Sequence, residues 1–98
     1  MVIEFLMFPG CPLADAMLTN LRAALQHLGR PVAFRQVNIE QLPDDDPRRG
    51  YGSPTILVDG RDLMGAQPGR AGRITCRVYP GYPSGVTAED IAARLSSM

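Results

Sequence analysis

The pattern of apolar and polar positions predicts that the chain begins with a buried strand followed by a helix. Residues 2–8 are almost all apolar, β-branched or aromatic, which is typical of a strand buried on both faces. From Pro12 to Leu28 the apolar residues recur at spacings of three and four, which predicts an amphipathic helix with Pro12 at its first position. Gly29 and Pro31 predict the end of this helix.

The next stretch predicts a second strand and an irregular connection. Residues 32–37 alternate in polarity, and the strand–helix–strand spacing predicts that this strand runs parallel to the first. Residues 38–52 contain two prolines four positions apart, which limits any helix there to about two turns. Within them, residues 44–46 are all aspartate and predict a solvated loop or a helix start, because a hard-cation site needs more converging oxygens.

Two further strands are predicted in the second half of the chain. Residues 55–58 predict a short third strand, which the turn signal Asp59-Gly60 closes. Residues 61–72 are rich in glycine and predict a loop. Residues 73–79 alternate in polarity and predict a fourth strand, antiparallel to the third.

The alternation in the predicted fourth strand assigns its side chains to two faces. Ile74, Cys76 and Val78 share one face, which we expect to face the core. Arg77 and Tyr79 share the other face, and we expect both to be solvated.

The last element is a predicted helix with a clear start. Thr87 predicts the N-cap with Asp90 as the third residue of a capping box, and Val86 and Ile91 complete a hydrophobic staple. The element order β-α-β-(short α)-β-β-α predicts one α/β domain over residues 1–98, with helices packed on a four-stranded mixed sheet.

Composition and charge exclude several classes of protein. The 98 residues carry ten basic and ten acidic side chains, so a nucleic-acid binder with a basic face is not expected. The apolar runs are shorter than the roughly 20 helical residues that are needed to span a membrane. Met1 leads into a strand without a basic region, so we expect no secretory signal, a cytoplasmic protein and reduced thiols.

The inventory of reactive residues narrows the chemistry to the two cysteines. The chain has no lysine, which excludes Schiff-base catalysis and a P-loop. One histidine and two cysteines cannot form a four-coordinate zinc site, and we expect no metal and no cofactor. Cys11 is predicted at a helix N-terminus, where backbone N–H groups and the helix dipole favour the thiolate. His27 lies about 24 Å along the helix from Cys11 and cannot act as its base.

Two segments together resemble the thioredoxin-like superfamily. They are Phe8-Pro9-Gly10-Cys11-Pro12, between a strand and a long helix, and Gly52-Ser53-Pro54-Thr55, at the start of a strand. The resemblance covers nearly the whole chain and implies a thioredoxin-like fold with strand order 2-1-3-4. It implies that Cys11 is the nucleophile, that Pro54 is cis and lies against it, and that the substrate-binding surface includes Pro12, Ser53, Pro54 and Thr55.

The chain departs from that family at position 14. The second cysteine of the family's Cys-x-x-Cys motif would fall there, and this chain has Ala14. The resemblance therefore implies a monothiol route of the glutaredoxin type, or a route with a distant partner. Cys76 is the remaining candidate for that partner, and we take Cys11 and Cys76 as the candidate catalytic residues.

Cys76 also has a purely structural interpretation as a buried core residue. In the order 2-1-3-4 the fourth strand lies about 10 Å from the first, whereas a disulfide needs Cα atoms within about 7 Å. We therefore expect that a static structure does not bring Cys76 next to Cys11.

Three functional hypotheses follow. The first is a thiol–disulfide oxidoreductase that acts on a thiol or disulfide substrate, either glutathione or a protein. The second is a non-catalytic binding or dimerisation module, and under this hypothesis the chain forms a homodimer. The third is binding of a soft metal or an organomercurial by Cys11 and Cys76, since the chain is also similar to small thioredoxin-like proteins labelled as related to alkylmercury lyase.

Overall fold

The computed structural model describes residues 1–29 and 32–98. The predicted helix-stop signal at Pro31 lies outside the described residues. The described part contains four strands, two α-helices and two short 3₁₀ helices. In chain order the elements are β1 (Ile3–Met7), α1 (Ala14–His27), β2 (Phe34–Asn38), 3₁₀ helices at Ile39–Gln41 and Pro47–Tyr51, β3 (Thr55–Val58), β4 (Arg61–Asp62) and α2 (Ala88–Ser96).

The strands form one mixed sheet in the order β2-β1-β3-β4. β1 runs parallel to β2 and antiparallel to β3, and β3 runs antiparallel to β4. The α/β class, the four-stranded mixed sheet and the strand order predicted from the sequence are thereby confirmed.

The main core lies between one face of the sheet and the two helices. It includes Phe5 of β1, Leu21 of α1 and Ile91 of α2, all fully buried. The opposite face carries a smaller cluster around Leu6 and Leu57. Burial of each such side chain contributes about 1.5–3 kcal/mol to folding, so the helices are held on the sheet mainly by apolar contact.

The fourth strand was predicted in the wrong place. β4 is Arg61–Asp62, directly after the turn, whereas residues 73–79 form no extended strand. Asp59 and Gly60 both have positive φ, at 51° and 81°, which matches a two-residue hairpin turn that returns the chain at once. The edge of β3 is therefore occupied before residues 73–79 are reached.

The helix α1 begins two residues later than predicted. Its first residue is Ala14 and its N-cap is Leu13, so Pro12 is not the first helical residue. Two turns precede the helix, because the Cys11 N–H donates to the Phe8 carbonyl and the Ala14 N–H donates to the Cys11 carbonyl, each at 3.2 Å. The predicted end is confirmed, since Leu28 is the C-cap and Gly29 has a φ of 71°.

The N-cap of α2 is confirmed, although the Asp90 carboxylate accepts from the Tyr82 hydroxyl and does not complete the capping box. The Thr87 side chain accepts a hydrogen bond from the Asp90 N–H at 3.2 Å, and both Val86 and Ile91 are fully buried. Asp46 caps the second 3₁₀ helix in the same way, which confirms the acidic run as a helix start. Over the described residues, no helix combines the length and the apolar character needed to cross a membrane.

Candidate functional site

Cys11 lies in the connection between β1 and α1, against the segment that precedes β3. Its side chain is 7% exposed. The Cys11 thiol donates a hydrogen bond to the Ser53 carbonyl at 3.4 Å, and the Ser53–Pro54 peptide bond is cis, the isomer that the resemblance implied. The N–H of Phe8 donates to the Ser53 hydroxyl at 3.4 Å, so the end of β1 is tied to the same residue.

The residues predicted to bind substrate differ in accessibility. Ser53 and Thr55 are fully buried, Pro54 is buried as well, and Pro12 is exposed. The Thr55 hydroxyl donates to the Gly52 carbonyl at 3.0 Å. The structure thus brings Ser53 to Cys11, with the buried Pro54 directly after it, while the Thr55 hydroxyl bonds to nearby backbone and to Arg77.

Residues 75–79, which we call the strap, run alongside Ser53. The Ser53 N–H donates to the Thr75 carbonyl at 2.9 Å, and the Arg77 N–H donates to the Ser53 carbonyl at 2.7 Å. This pattern makes Ser53 and Cys76 partners in a parallel β-bridge. Since β-bridged backbones lie about 4.8 Å apart, Cys76 is held one strand spacing from the residue that contacts Cys11.

A glycine permits this close approach. Gly52 has a φ of +83°, and a Cβ at this position would lie 2.8 Å from the Thr75 hydroxyl oxygen. Positive φ is accessible to glycine at low cost, and no other side chain fits the space. Tyr79 closes the other end of the strap, where its hydroxyl donates to the Pro54 carbonyl at 2.6 Å.

Both cysteines lie against Ser53, since the Cys11 thiol donates to the Ser53 carbonyl and Cys76 is the β-bridge partner of Ser53. The pKa of the Cys76 thiol is raised by desolvation, by the charge of Cys11 and by hydrogen bonding with the Cys11 thiol. Both cysteines are free thiols, with Cys11 buried and Cys76 exposed. The expectation that Cys76 lies far from Cys11 assumed that Cys76 is in the fourth strand of the sheet, whereas Cys76 lies one strand spacing from Ser53, the residue that the Cys11 thiol contacts.

The predicted faces of residues 73–79 are correct for Ile74, which packs against the cluster around Leu6 and Leu57, and wrong for the residues after it. Cys76 and Val78 face solvent, with Val78 75% exposed, so the interpretation of Cys76 as a core residue is wrong. Tyr79 is buried, and burial raises its pKa to about 12. The expectation that Arg77 and Tyr79 are solvated is therefore wrong as well.

Arg77 faces inward because Asp62 neutralises it there. The Arg77 guanidinium donates to both carboxylate oxygens of Asp62, at 2.7 and 2.9 Å, and to the Thr55 hydroxyl at 3.1 Å. It also stacks on Tyr79, with 4.3 Å from Cζ to the ring centroid. Burial opposes the charge on Arg77, but the hydrogen bonds to Asp62 and the nearby negative charge keep its pKa above the ordinary value.

Sequence reasoning missed the role of Asp62. The Asp59-Gly60 turn signal already implied that residues just after it return along β3, and this places Asp62 opposite Leu57. The sequence does not show that residues 73–79 return to the sheet and bring Arg77 to Asp62. Asp62, in β4, connects this segment to the sheet through its ion pair with Arg77.

Among the described residues, neither His27 nor a metal cluster lies beside the thiols. His27 is exposed in the last turn of α1, as expected from its spacing. Within residues 1–29 and 32–98, no group of three or more His, Cys, Asp or Glu side chains is arranged to hold a metal ion. The reactive groups that the structure brings to Ser53 are the two cysteine thiols.

Comparison of the chain with protein-family models, with curated proteins and with solved structures finds no match.

Proposed function

We propose that the chain is a thiol–disulfide oxidoreductase whose redox pair is Cys11 and Cys76. The observation that carries this proposal is that both cysteines, although far apart in the sequence, lie against Ser53. The Cys11 thiol bonds to the Ser53 carbonyl, and Cys76 is the β-bridge partner of Ser53. The neighbouring cis bond at Ser53–Pro54 and the strand order β2-β1-β3-β4 agree with the resemblance to thioredoxin-like proteins. Cys76 takes the place of the second cysteine that is absent at Ala14.

The reaction requires only thiol–disulfide exchange. A thiolate of the pair attacks a substrate disulfide, forms a mixed disulfide and releases one substrate thiolate. The second thiolate then attacks the protein sulfur of the mixed disulfide and releases the other substrate thiolate. The chain is oxidised to a Cys11–Cys76 disulfide, the substrate is reduced to two thiols, and an external dithiol or glutathione restores the pair.

The test is whether this disulfide forms. The reduced protein is incubated with increasing ratios of glutathione disulfide to glutathione, quenched by alkylation and digested with trypsin. Because all basic cleavage sites are arginines, Cys11 lies in the peptide of residues 1–22 and Cys76 in the peptide of residues 74–77. We expect these two peptides to become cross-linked and the protein to lose two hydrogen atoms in mass.

Single variants provide the controls. Cys11→Ser and Cys76→Ser each retain one thiol and should give only the mixed disulfide with glutathione. If the wild-type chain also gives only mixed disulfides at every ratio, the redox pair does not exist. The binding-module hypothesis then becomes the better one.

The same pair of thiols favours one alternative, the binding of a soft metal ion. Two adjacent thiolates are suitable ligands for Cu(I) or Hg(II), which prefer sulfur. Titration of the reduced protein with mercuric ion, followed by sulfur-to-metal charge-transfer absorbance, tests this alternative. A soft-metal site requires a sharp one-to-one end point that is lost in both single-cysteine variants, whereas an oxidoreductase requires turnover of a disulfide.

A further inference from the structure

We infer that Cys76 forms the first covalent bond with the substrate disulfide and that Cys11 then resolves it. This order rests on the proposed redox pair and reverses the resemblance, which implies that Cys11 is the nucleophile. It concerns which sulfur meets the substrate, and not whether the two sulfurs can bond to each other.

Accessibility is the first argument for this order. Exchange proceeds by attack of a thiolate along the axis of the target disulfide, so the attacking sulfur needs open space for a bulky partner. Cys11 is 7% exposed, and its thiol is directed to the Ser53 carbonyl. Cys76 is exposed, and its neighbour Val78 is 75% exposed, so the outer side of the strap is open to a substrate.

The strap supplies the second argument, because its backbone holds Cys76 in place while the Cys76 side chain remains exposed to solvent. One edge of its backbone is bonded to Ser53 through the Thr75 carbonyl and the Arg77 N–H. In an extended chain the groups of the intervening residue point the other way. Among the described residues, no backbone group bonds to the N–H or the carbonyl of Cys76, so this edge can accept an extended substrate.

The reaction sequence follows from these positions. The Cys76 thiolate attacks one sulfur of the substrate disulfide, a bond forms between Cys76 and that sulfur, and the other substrate sulfur leaves as a thiolate that takes up a proton. The Cys11 thiolate next attacks the Cys76 sulfur from inside the protein. The Cys11–Cys76 disulfide forms, and the second substrate thiolate departs from the open side.

Accessibility decides the order, because the pKa of Cys76 acts in the other direction. Desolvation and the neighbouring Cys11 raise the pKa of the Cys76 thiol, which reduces its thiolate fraction near neutral pH. The buried Cys11 cannot reach a bulky disulfide, whereas the exposed Cys76 reaches it with the thiolate fraction that it has. Once Cys76 is part of a mixed disulfide, it lies one strand spacing from Ser53, the residue that the Cys11 thiol contacts.

Limited alkylation of the wild-type protein tests the order without any substitution. The reduced protein is treated with less than one equivalent of N-ethylmaleimide, and the tryptic peptides of residues 1–22 and 74–77 are quantified. We expect the peptide with Cys76 to be labelled roughly tenfold faster than the peptide with Cys11. The same experiment in urea should remove the difference, which shows that the fold and not the local sequence causes it.

Trapping with a disulfide tests the order under the reaction conditions. In Cys11→Ser the mixed disulfide between Cys76 and glutathione should accumulate rapidly and persist, because no second thiol resolves it. In Cys76→Ser the adduct on Cys11 should form roughly tenfold more slowly. Cys11→Ala and Cys76→Ala repeat the comparison if a serine variant is poorly folded.

The outcomes separate this inference from the proposed function. A wild-type cross-link together with faster adduct formation on Cys11 keeps the redox pair and overturns the order of attack. Adducts on Cys76 without any wild-type cross-link overturn the redox pair itself, and the order with it. Fast labelling of Cys76 together with the cross-link supports both.

Discussion

Arg77 and Asp62 form a bidentate ion pair, with Nη1–Oδ1 at 2.7 Å and Nη2–Oδ2 at 2.9 Å. Asp62 belongs to the edge strand β4, and its side chain is 1% exposed. The pair therefore anchors the strap to the sheet at the residue next to Cys76. The stability of the site depends on this anchor as well as on the backbone bonds to Ser53.

Arg77→Lys should loosen the strap while keeping the positive charge. A lysine ammonium cannot reproduce the two parallel hydrogen bonds to Asp62, and it cannot stack on Tyr79 as a planar guanidinium does. We expect the free energy of unfolding in urea to fall by about 1–2 kcal/mol and closure of the Cys11–Cys76 disulfide to slow. Arg73→Lys, at an exposed position just before the strap, is the matched control. Equal effects of the two variants would contradict the anchoring role.

Gly52→Ala should destabilise the protein through both strain and a collision. The φ of +83° is unfavourable for alanine, and the new Cβ would lie 2.8 Å from the Thr75 hydroxyl oxygen. Gly60→Ala is the control, since its φ is +81° but no heavy atom lies within 4 Å. We expect Gly60→Ala to cost about 1 kcal/mol and Gly52→Ala about 1–2 kcal/mol more, measured by urea unfolding. A cost no larger than that of the control would show that the strap moves away freely.

Tyr79 should make the protein less stable at alkaline pH. Its pKa is about 12 in the folded chain, whereas an unperturbed tyrosine has a pKa of about 10. The folded state therefore keeps a proton that the unfolded state loses, and this part of the stability is complete below pH 10 and declines as the pH approaches 12. The loss amounts to roughly 2–3 kcal/mol across that interval.

Tyr79→Phe isolates this contribution from the other two tyrosines. The variant should be about 1 kcal/mol less stable near neutral pH, because the hydrogen bond to the Pro54 carbonyl is absent. It should then lose less stability than the wild-type chain when urea unfolding is repeated at increasing alkaline pH. If the free energy of unfolding falls equally with pH in the two proteins, folding does not change the pKa of Tyr79.

The reactivity of Cys76 toward an alkylating agent should depend on Cys11. Besides desolvation, the charge and the hydrogen bonding of Cys11 raise the pKa of Cys76, while Arg77 beside it is already paired with Asp62. In Cys11→Ser the charge is removed, so the midpoint of the pH profile for labelling residues 74–77 should move to lower pH. A synthetic peptide of the same four residues gives the reference, and an unchanged midpoint would show that the thiols do not interact.

Three of the four strands could be predicted from the sequence because local patterns define them. Residues 55–58 are continuously apolar, and in β3 they are all buried. Thr87 and Asp90 form a cap within a single turn, so their interaction also follows from neighbouring positions. The strand order was predicted from the resemblance to thioredoxin-like proteins. That resemblance rests on the two segments around Cys11 and Pro54.

The position of Cys76 could not be predicted because it depends on contacts between distant segments. The alternation in residues 73–79 is real, and the segment does form a bridge, but its partner is Ser53 and not the free edge of β3. Periodicity assigns two faces without saying which is inside. The outcome was decided by Arg77, whose charge is neutralised by Asp62, a contact that no local rule identifies.

In the proposed oxidoreductase, the pairing of Cys11 with a strap residue would couple redox chemistry to folding. Two cysteines within one helical turn stay near each other even in an unfolded chain, but here a loop of about 65 residues separates them. Unfolding therefore lowers the effective concentration of one thiol at the other, and closing such a loop in the unfolded chain is worth about 4 kcal/mol. Any change that releases residues 75–79 from Ser53 should shift the thiol–disulfide equilibrium toward the reduced form, even if the sheet and both helices remain intact.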